Sequence, residues 1–420
     1  MLLKRDEVNP DKLDNYGRTP AWGAALGGHE GVVRLLLKRD KVNLGKPDND
    51  GQTPLWCAAY NGHEGVAKML LERDEVNPNE PDKDDLTPLY AAAWSGHEGV
   101  TKMLLEQDEV NPDKPNENGQ TPLYAAAWYG HEGVVKILLE RDEVNPGVPD
   151  NGGRTPLYVA ALNGHEGVVK MLLERDEVNP DMPNHDGPTP LYAAAYGGHE
   201  GVVKMLLERN EVNPDMPNND GTPLYAAARD GHEGVVKMLL ERDGVNPDMP
   251  NHDGQTPLYV AARDGHDGVV KILLERDEVN PDAPNHDGQT PLYVAARNGH
   301  EGVVKMLLKM GVNSDNPCNT GQTPLSCAAS NGHAEVVKLL LGRDEANPHK
   351  PDHGCLTPLQ SAARNGHEGV VKLLLERDVA LPTNPPNDGR APLWAAAWGG
   401  HLGVVKMLLE RDKANPHKHH

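Results

Sequence analysis

The residues of this chain best suited to chemistry are its 20 histidines, its four cysteines and its 63 aspartates and glutamates. Imidazoles and carboxylates together can hold a metal ion or move protons, and a thiolate can add a zinc ligand or a nucleophile. Their spacing argues against each use. Twelve histidines close a Gly-His dipeptide, at His29, His63, His97, His131, His165, His199, His232, His266, His300, His333, His367 and His401, so they share one structural role. His185, His252 and His286 fall at expected loop tips, and packed units roughly 8–10 Å apart set such tips too far apart to share one ion. His349, His353 and the terminal histidines read as exposed loop or tail residues. Cys318 and Cys355 occupy different positions in adjacent loops without Cys-X-X-Cys spacing, while Cys57 and Cys327 take a small-residue slot where a thiol packs much as alanine does. No phosphate-binding Gly-rich loop, Gly-X-Ser-X-Gly or His-Glu-X-X-His occurs. The sequence therefore predicts no catalytic residue, no metal site, no cofactor and no enzymatic activity.

Recognition is the remaining chemistry, and aromatic and arginine residues carry it. Ten of them follow Thr-Pro-Leu or its variants (Trp22, Trp56, Tyr90, Tyr124, Tyr158, Tyr192, Tyr225, Tyr259, Tyr293 and Trp394), a regularity that reads as packing between units. A second series varies. The residue two before each Gly-His glycine reads Leu26, Tyr60, Trp94, Trp128, Leu162 and Tyr196, then Arg229, Arg263, Arg297, Ser330, Arg364 and Trp398. Trp, Tyr and Arg dominate interface hot spots, so this series is where a partner would be gripped.

The elements that present these residues repeat every 34 residues, with two intervals of 33. Residues 254–285 show the logic. Thr256 caps a helix whose first residue is Pro257, Ala261 and Ala262 allow close packing, and Gly265 fits the left-handed position that ends it. A second helix from near His266 carries Val269, Val270, Ile272, Leu273 and Leu274 on a wide apolar face, with Asp267 and Arg276 matched to its dipole. Asn280, Pro281, Pro284 and Asp287-Gly288 then form an extended, turn-rich connection.

Thr-Pro-Leu, paired Ala, Gly-His, a Val/Leu helix and Val-Asn together resemble the ankyrin repeat family, over essentially the whole chain, and the wording is similar to ankyrin arrays of large fungal proteins. The resemblance implies an all-α dominated repeat solenoid, an ankyrin-type stack of helix-turn-helix units joined by loops or β-hairpins. Residues 1–18 read as the end of a preceding truncated repeat and first loop, and 19–420 as about twelve repeats forming one continuous domain. The resemblance also places the variable series on the concave face, so partner-binding residues are expected at Tyr60, Trp94, Trp128, Tyr129, Tyr196, Arg229, Arg263, Arg297, Arg364 and Trp398. The implied function is a protein–protein interaction scaffold. A structural spacer or self-assembling rod is the alternative, because dedicated capping repeats are missing and bare ends can stack.

Departures from the family pattern carry their own expectations. Tyr or Trp replaces the family's Thr-Pro-Leu-His histidine, so that histidine's hydrogen bonds are lost or taken over. The longer connection predicts weak strand pairing. Asp85 and Cys355 stand where other repeats have a turn glycine and Ala391 replaces a capping threonine, which predicts local strain in repeats three, eleven and twelve.

The net charge of -22 comes with no basic block, which argues against nucleic-acid binding. No apolar run approaches the roughly 20 residues needed to span a bilayer, and no secretory segment follows Met1, so no membrane role is expected and an intracellular, cytoplasmic location is. The partner is expected to be another protein, with end-to-end self-association as a second route.

Overall fold

The computed structural model describes residues 9–39, 42–377 and 391–414, the last with side chains to 411. Its contacts form two compact units, 1–213 and 214–420, each built from six helix pairs among the described residues. In the first unit the pairs run from Pro20–Leu26 with Glu30–Leu36 to Pro190–Gly197 with Glu200–Leu207. In the second they run from Pro223–Asp230 with Glu233–Leu240 to Pro392–Trp398 with Leu402–Ala414.

The helix starts are set by the sequence. Each threonine of the Thr-Pro-Leu motif sits in extended backbone and accepts the N–H three residues on, as from Trp56 to Thr53 at 3.1 Å and from Tyr259 to Thr256 at 3.2 Å. Proline follows at the first helical position. The resulting first helices have only seven or eight residues, well under the roughly 12–15 at which an isolated helix is marginal in water. Tertiary burial must hold them. Pro122, Leu123, Tyr124, Ala125, Ala126 and Ala127 are all buried in one such helix, because first helices stack on first helices while their other side rests on the second helix of the same pair. Second helices stack likewise, burying Val134, Val135, Leu138 and Leu139 and exposing Glu132 and Lys136.

Four series of hydrogen bonds join successive repeats. The Gly-His imidazole reaches back to the end of the preceding first helix: His97 Nε2 donates to Tyr60 O at 3.0 Å, and His300 Nε2 to Arg263 O at 2.9 Å. The glycine before it has two duties. Gly62 lies at φ +71°, and a Cβ there would stand 2.4 Å from His97 Nδ1. Phenols and an indole replace the family histidine with new bonds, from Tyr90 to Gln120 at 3.2 Å, from Tyr124 to Asp150 at 3.1 Å, from Tyr259 to Gln289 at 2.8 Å and from Trp56 Nε1 to Leu86 O at 3.0 Å. Loop tips pair through single backbone bonds such as His185 N to Gly152 O. Finally, the aspartate of Asn-Pro-Asp accepts the N–H of the next repeat's asparagine, as Asp113 from Asn145 at 2.8 Å and Asp248 from Asn280 at 2.7 Å.

Strand pairing is as weak as the sequence implies, with one isolated bridge, Asn218 to Gly221, among the described residues. Asp85 and Cys355 adopt φ of 59° and 61°, the left-handed region that glycine fills elsewhere, and Ala391 offers its helix no side-chain cap.

The aspartate series is unevenly completed. Asp315 has its cation, Lys350, at 2.8 Å, but the residue in the Lys350 position opposite Asp248 is Ala283, and Asp248 Oδ1 is buried without a partner. Burial pushes the Asp248 carboxyl up, against a smaller lowering by the Asn280 N–H. Asp248 therefore favours folding below the ordinary carboxylate range, and that contribution is lost as pH rises through its elevated value. Ala283→Lys should supply the missing cation and raise stability by roughly 0.5–1 kcal/mol at neutral pH. Thermal unfolding between pH 3 and 7 checks this: the gain over the parent should grow as pH rises and vanish at the acid end.

Candidate functional site

From Pro54–Tyr60 to Pro358–Asn365 the first helices are buried along most of their length, and they emerge at their last residues. Those residues are the variable series, and their backbone carbonyls accept the imidazoles of the next repeat: Tyr60 O from His97, Trp94 O from His131, Arg229 O from His266. The main chain is thus pinned while the side chain is left to face outward.

In the first unit this produces an aromatic wall. Tyr60 stacks on Trp56 with centroids 5.2 Å apart and planes 7° from parallel. Trp94 packs against Tyr90 at 6.0 Å and Tyr129 at 4.8 Å, and Trp128 stacks on Tyr124 at 6.2 Å. Tyr60, Trp94 and Tyr129 remain 43%, 38% and 41% exposed, whereas Tyr90 and Tyr124 beneath them are buried. Trp128 is half-buried, so it has a packing role that its position in the series does not announce. Tyr196 is exposed on Pro190–Gly197, outside the residues that line the cavities described next.

Two cavities flank Trp94. One of about 400 Å³ is lined by Trp56, Tyr60, Tyr90 and Trp94 with Asp82 and Asp84 at its polar side. The other, of about 210 Å³, lies among Tyr90, Trp94, Tyr124, Trp128 and Tyr129 and is bounded by Arg154. A larger cleft of about 570 Å³ runs between the second helices Glu98–Leu105 and Glu132–Leu139. Its Glu98, Gly99, Lys102 and Leu105 recur at the same positions in most repeats, so it distinguishes no part of the chain. The aromatic cavities do, and they are concave and largely apolar with a few placed polar groups, as binding sites are.

In the second unit the series is cationic. Arg229 pairs with Asp230 at 3.0 Å and Arg263 with Asp264 at 2.7 Å, which engages both guanidiniums with their own neighbours. Arg297 and Arg364 are exposed. Trp398, 72% exposed, stacks on Trp394 at 5.3 Å.

Reading the variable series alone misses the turn ahead of each threonine. There an Asn or Asp five before the cap accepts backbone N–H groups of the turn in most repeats, and in some of them it also engages the side chain one before the cap. Asn116 goes with Gln120, Asn251 with Gln255 and Asn285 with Gln289, whereas Asp14 goes with Arg18 and Asp150 with Arg154. Other turns combine the two positions differently, Asp48 with Gln52 and Asp82 and Asp352 with Leu86 and Leu356, and the combinations are visible in the sequence once the turn residues are aligned. Among the described residues no group of three or more His, Cys, Asp or Glu is placed to hold a metal, and no helix is long and apolar enough to cross a membrane.

The sequence matches the family model for ankyrin repeats, described as three copies, at residues 1–82, 74–150, 111–182, 143–218, 176–251, 202–285, 277–352 and 344–419. The chain belongs to the ankyrin repeat family. Repeats of this family are generally protein-interaction modules and typically not enzymes. No curated protein matches the chain as a relative.

Asp150 tests the electrostatics of the smaller cavity. Burial pushes its carboxyl up, but bonds from Arg154 and Tyr124 outweigh it and leave the value below the ordinary one. Its contribution to stability is present above the unfolded carboxylate range and is lost as pH falls through the depressed folded value. Arg154→Met should expose this by destabilising the fourth and fifth repeats by about 2 kcal/mol at neutral pH. Hydrogen exchange at those repeats should show the deficit shrinking as pH is lowered toward 3.

Proposed function

We propose that the chain is a protein-binding scaffold that grips its partner along the concave face, on the ends of the first helices. The residues concerned are Tyr60, Trp94, Trp128, Tyr129 and Tyr196 in the first unit and Arg229, Arg263, Arg297, Arg364 and Trp398 in the second. The supporting observation is the aromatic wall, where rings stay exposed at the ends of helices whose first six residues are all buried. Rigid, part-exposed Trp and Tyr bury large area at little entropic cost when covered, which is the behaviour of interface anchors. The arginines offer a different grip. Arg229 and Arg263, already paired, act as rim charges that favour encounter with an acidic surface rather than as anchors.

Replacing Trp94 and Trp128 together by Ala should weaken a captured partner by about 2 kcal/mol or more while leaving the helical signal intact. Lys170→Ala, on the exposed face of a second helix, serves as the control and should change neither. Quantitative affinity capture with each variant, normalised to folded protein, makes the comparison. Loss of folding with unchanged binding per folded molecule would return both residues to the core and end this reading.

A second reading, end-to-end association, is favoured by apolar residues at both terminal repeats. Val32 is 45% exposed where its counterpart Val66 is fully buried, and Leu409 is 44% exposed where Leu308 is at 6%. Sedimentation velocity over a hundredfold range of concentration should show growth that Leu35→Glu and Leu409→Glu reduce. A chain that sediments as a monomer throughout would exclude the rod.

A further inference from the structure

The turn ahead of the first helix uses a carboxylate in several repeats, and two of them show what that carboxylate holds. Asp14 binds the Arg18 guanidinium at 2.7 Å, and that guanidinium lies over two rings, 4.5 Å from the Tyr16 centroid and 5.1 Å from that of Trp22. Asp150 binds Arg154 at 2.7 Å in the same register. The arrangement is a carboxylate and an aromatic face sharing one cation, with attraction from both the charge and the ring quadrupole.

The third repeat has the same arrangement without the cation. Asp82 holds the turn position, its Oδ1 accepting the N–H groups of Asp84 at 3.0 Å and Leu86 at 2.9 Å. Tyr90 takes the place of Trp22, and Leu86 takes the place of Arg18. Asp82 is nonetheless buried at 8% exposure, with Asp84 beside it on the wall of the 400 Å³ cavity. Lys83, between them in sequence, turns away to Asp50 at 3.6 Å. Burial first, then the neighbouring charges of Asp84 and Asp85, push the Asp82 carboxyl up, as expected of an acid that lacks its counter-ion. The polar heads of two of the rings are already used, Trp56 Nε1 on Leu86 O and the Tyr90 hydroxyl on Gln120, and both rings are buried, which leaves Tyr60 and Trp94 as the accessible rings of the cavity.

We infer that this cavity receives an arginine side chain of a partner polypeptide, its guanidinium held by Asp82 and Asp84 and its plane against the exposed rings of Tyr60 and Trp94. It does for Asp82, from outside the chain, what Arg18 does for Asp14 from within. The inference rests on the scaffold reading and gives that partner its chemistry. A guanidinium suits the seat better than an ammonium because its plane stacks on rings while its edge meets carboxylates, and it is the more weakly hydrated of the two.

The test uses the full chain and a short Gly/Ser peptide carrying one arginine, with binding read from tryptophan fluorescence. A peptide with citrulline in place of arginine keeps the shape without the charge, and it should bind at least about tenfold more weakly. Asp82→Asn with Asp84→Asn should produce a similar loss without unfolding, since Asn116 and Asn118 already fill those two turn positions in the next repeat. Leu86→Arg should close the seat from within, raise the unfolding temperature and abolish arginine-peptide binding. Equal binding of the citrulline peptide, undiminished binding to Leu86→Arg, or no arginine-peptide binding up to millimolar concentration would each overturn the inference. Partner capture that survives Leu86→Arg but is lost with the Trp94 and Trp128 pair would leave the scaffold standing without this seat. Arginine-peptide binding alongside capture indifferent to the tryptophans would sink the scaffold reading and keep the seat.

Discussion

The bond from each Gly-His imidazole to the carbonyl at the end of the preceding first helix is the interaction on which the rest depends. A helix of seven or eight residues leaves most of its terminal carbonyls without intrahelical partners, and propensity alone cannot hold it. The imidazole of the following repeat supplies one of those partners, at 2.9–3.0 Å throughout the measured series. A helix end completed by the next repeat ties local order to stacking, so each first helix followed by another repeat is supported by that neighbour. Nearest-neighbour cooperativity of this kind is the physical character of repeat arrays.

The same constraint decides where variation is tolerated. Leu, Tyr and the three small residues of a first helix are locked between neighbours, so change there meets a packed interior. The residue whose carbonyl takes the imidazole is different, because only its main chain is engaged. It can be Leu26, Trp94, Arg263 or Ser330 without altering the stack. The position just ahead of the threonine has similar latitude, because the turn uses only its backbone N–H: it is Gln52, Leu86, Arg154 or Leu356 behind the same aspartate.

Much of this is legible in the sequence because strict periodicity converts each residue type into a position. The threonine caps, the left-handed glycines, the buried Val and Leu faces and the strain at Asp85 and Cys355 follow from local rules and agree with the structure. The hydrogen bonds that replace those of the family histidine were an open question in the residues, and only coordinates show that phenols reach the next turn. The half-buried state of Trp128 depends on its rotamer against Tyr124 in the same helix, which periodicity does not encode, whereas the pairing of Arg229 and Arg263 with the aspartates beside them is open to a reading of the residues and is what the structure shows. The acid-and-ring seat at Asp82 escapes a reading of the variable series for a related reason. Its carboxylate comes from a turn and its rings come from two helices, and neither the Asp82 and Leu86 pair, which recurs at Asp352 and Leu356, nor the rings alone mark it.

The split origin of that seat has a consequence for how such a chain can change over generations. Trp56 and Tyr60 are carried by one repeat, and Asp82, Leu86 and Tyr90 by the next, while the bonds that join the two are the ones used at other junctions. Duplication, loss or exchange of a whole repeat by recombination can therefore preserve the stack and still rewrite half of each adjoining cavity. Diversity arises at junctions, and an array of n interchangeable units holds n − 1 places where a new combination can be tried without risking the fold.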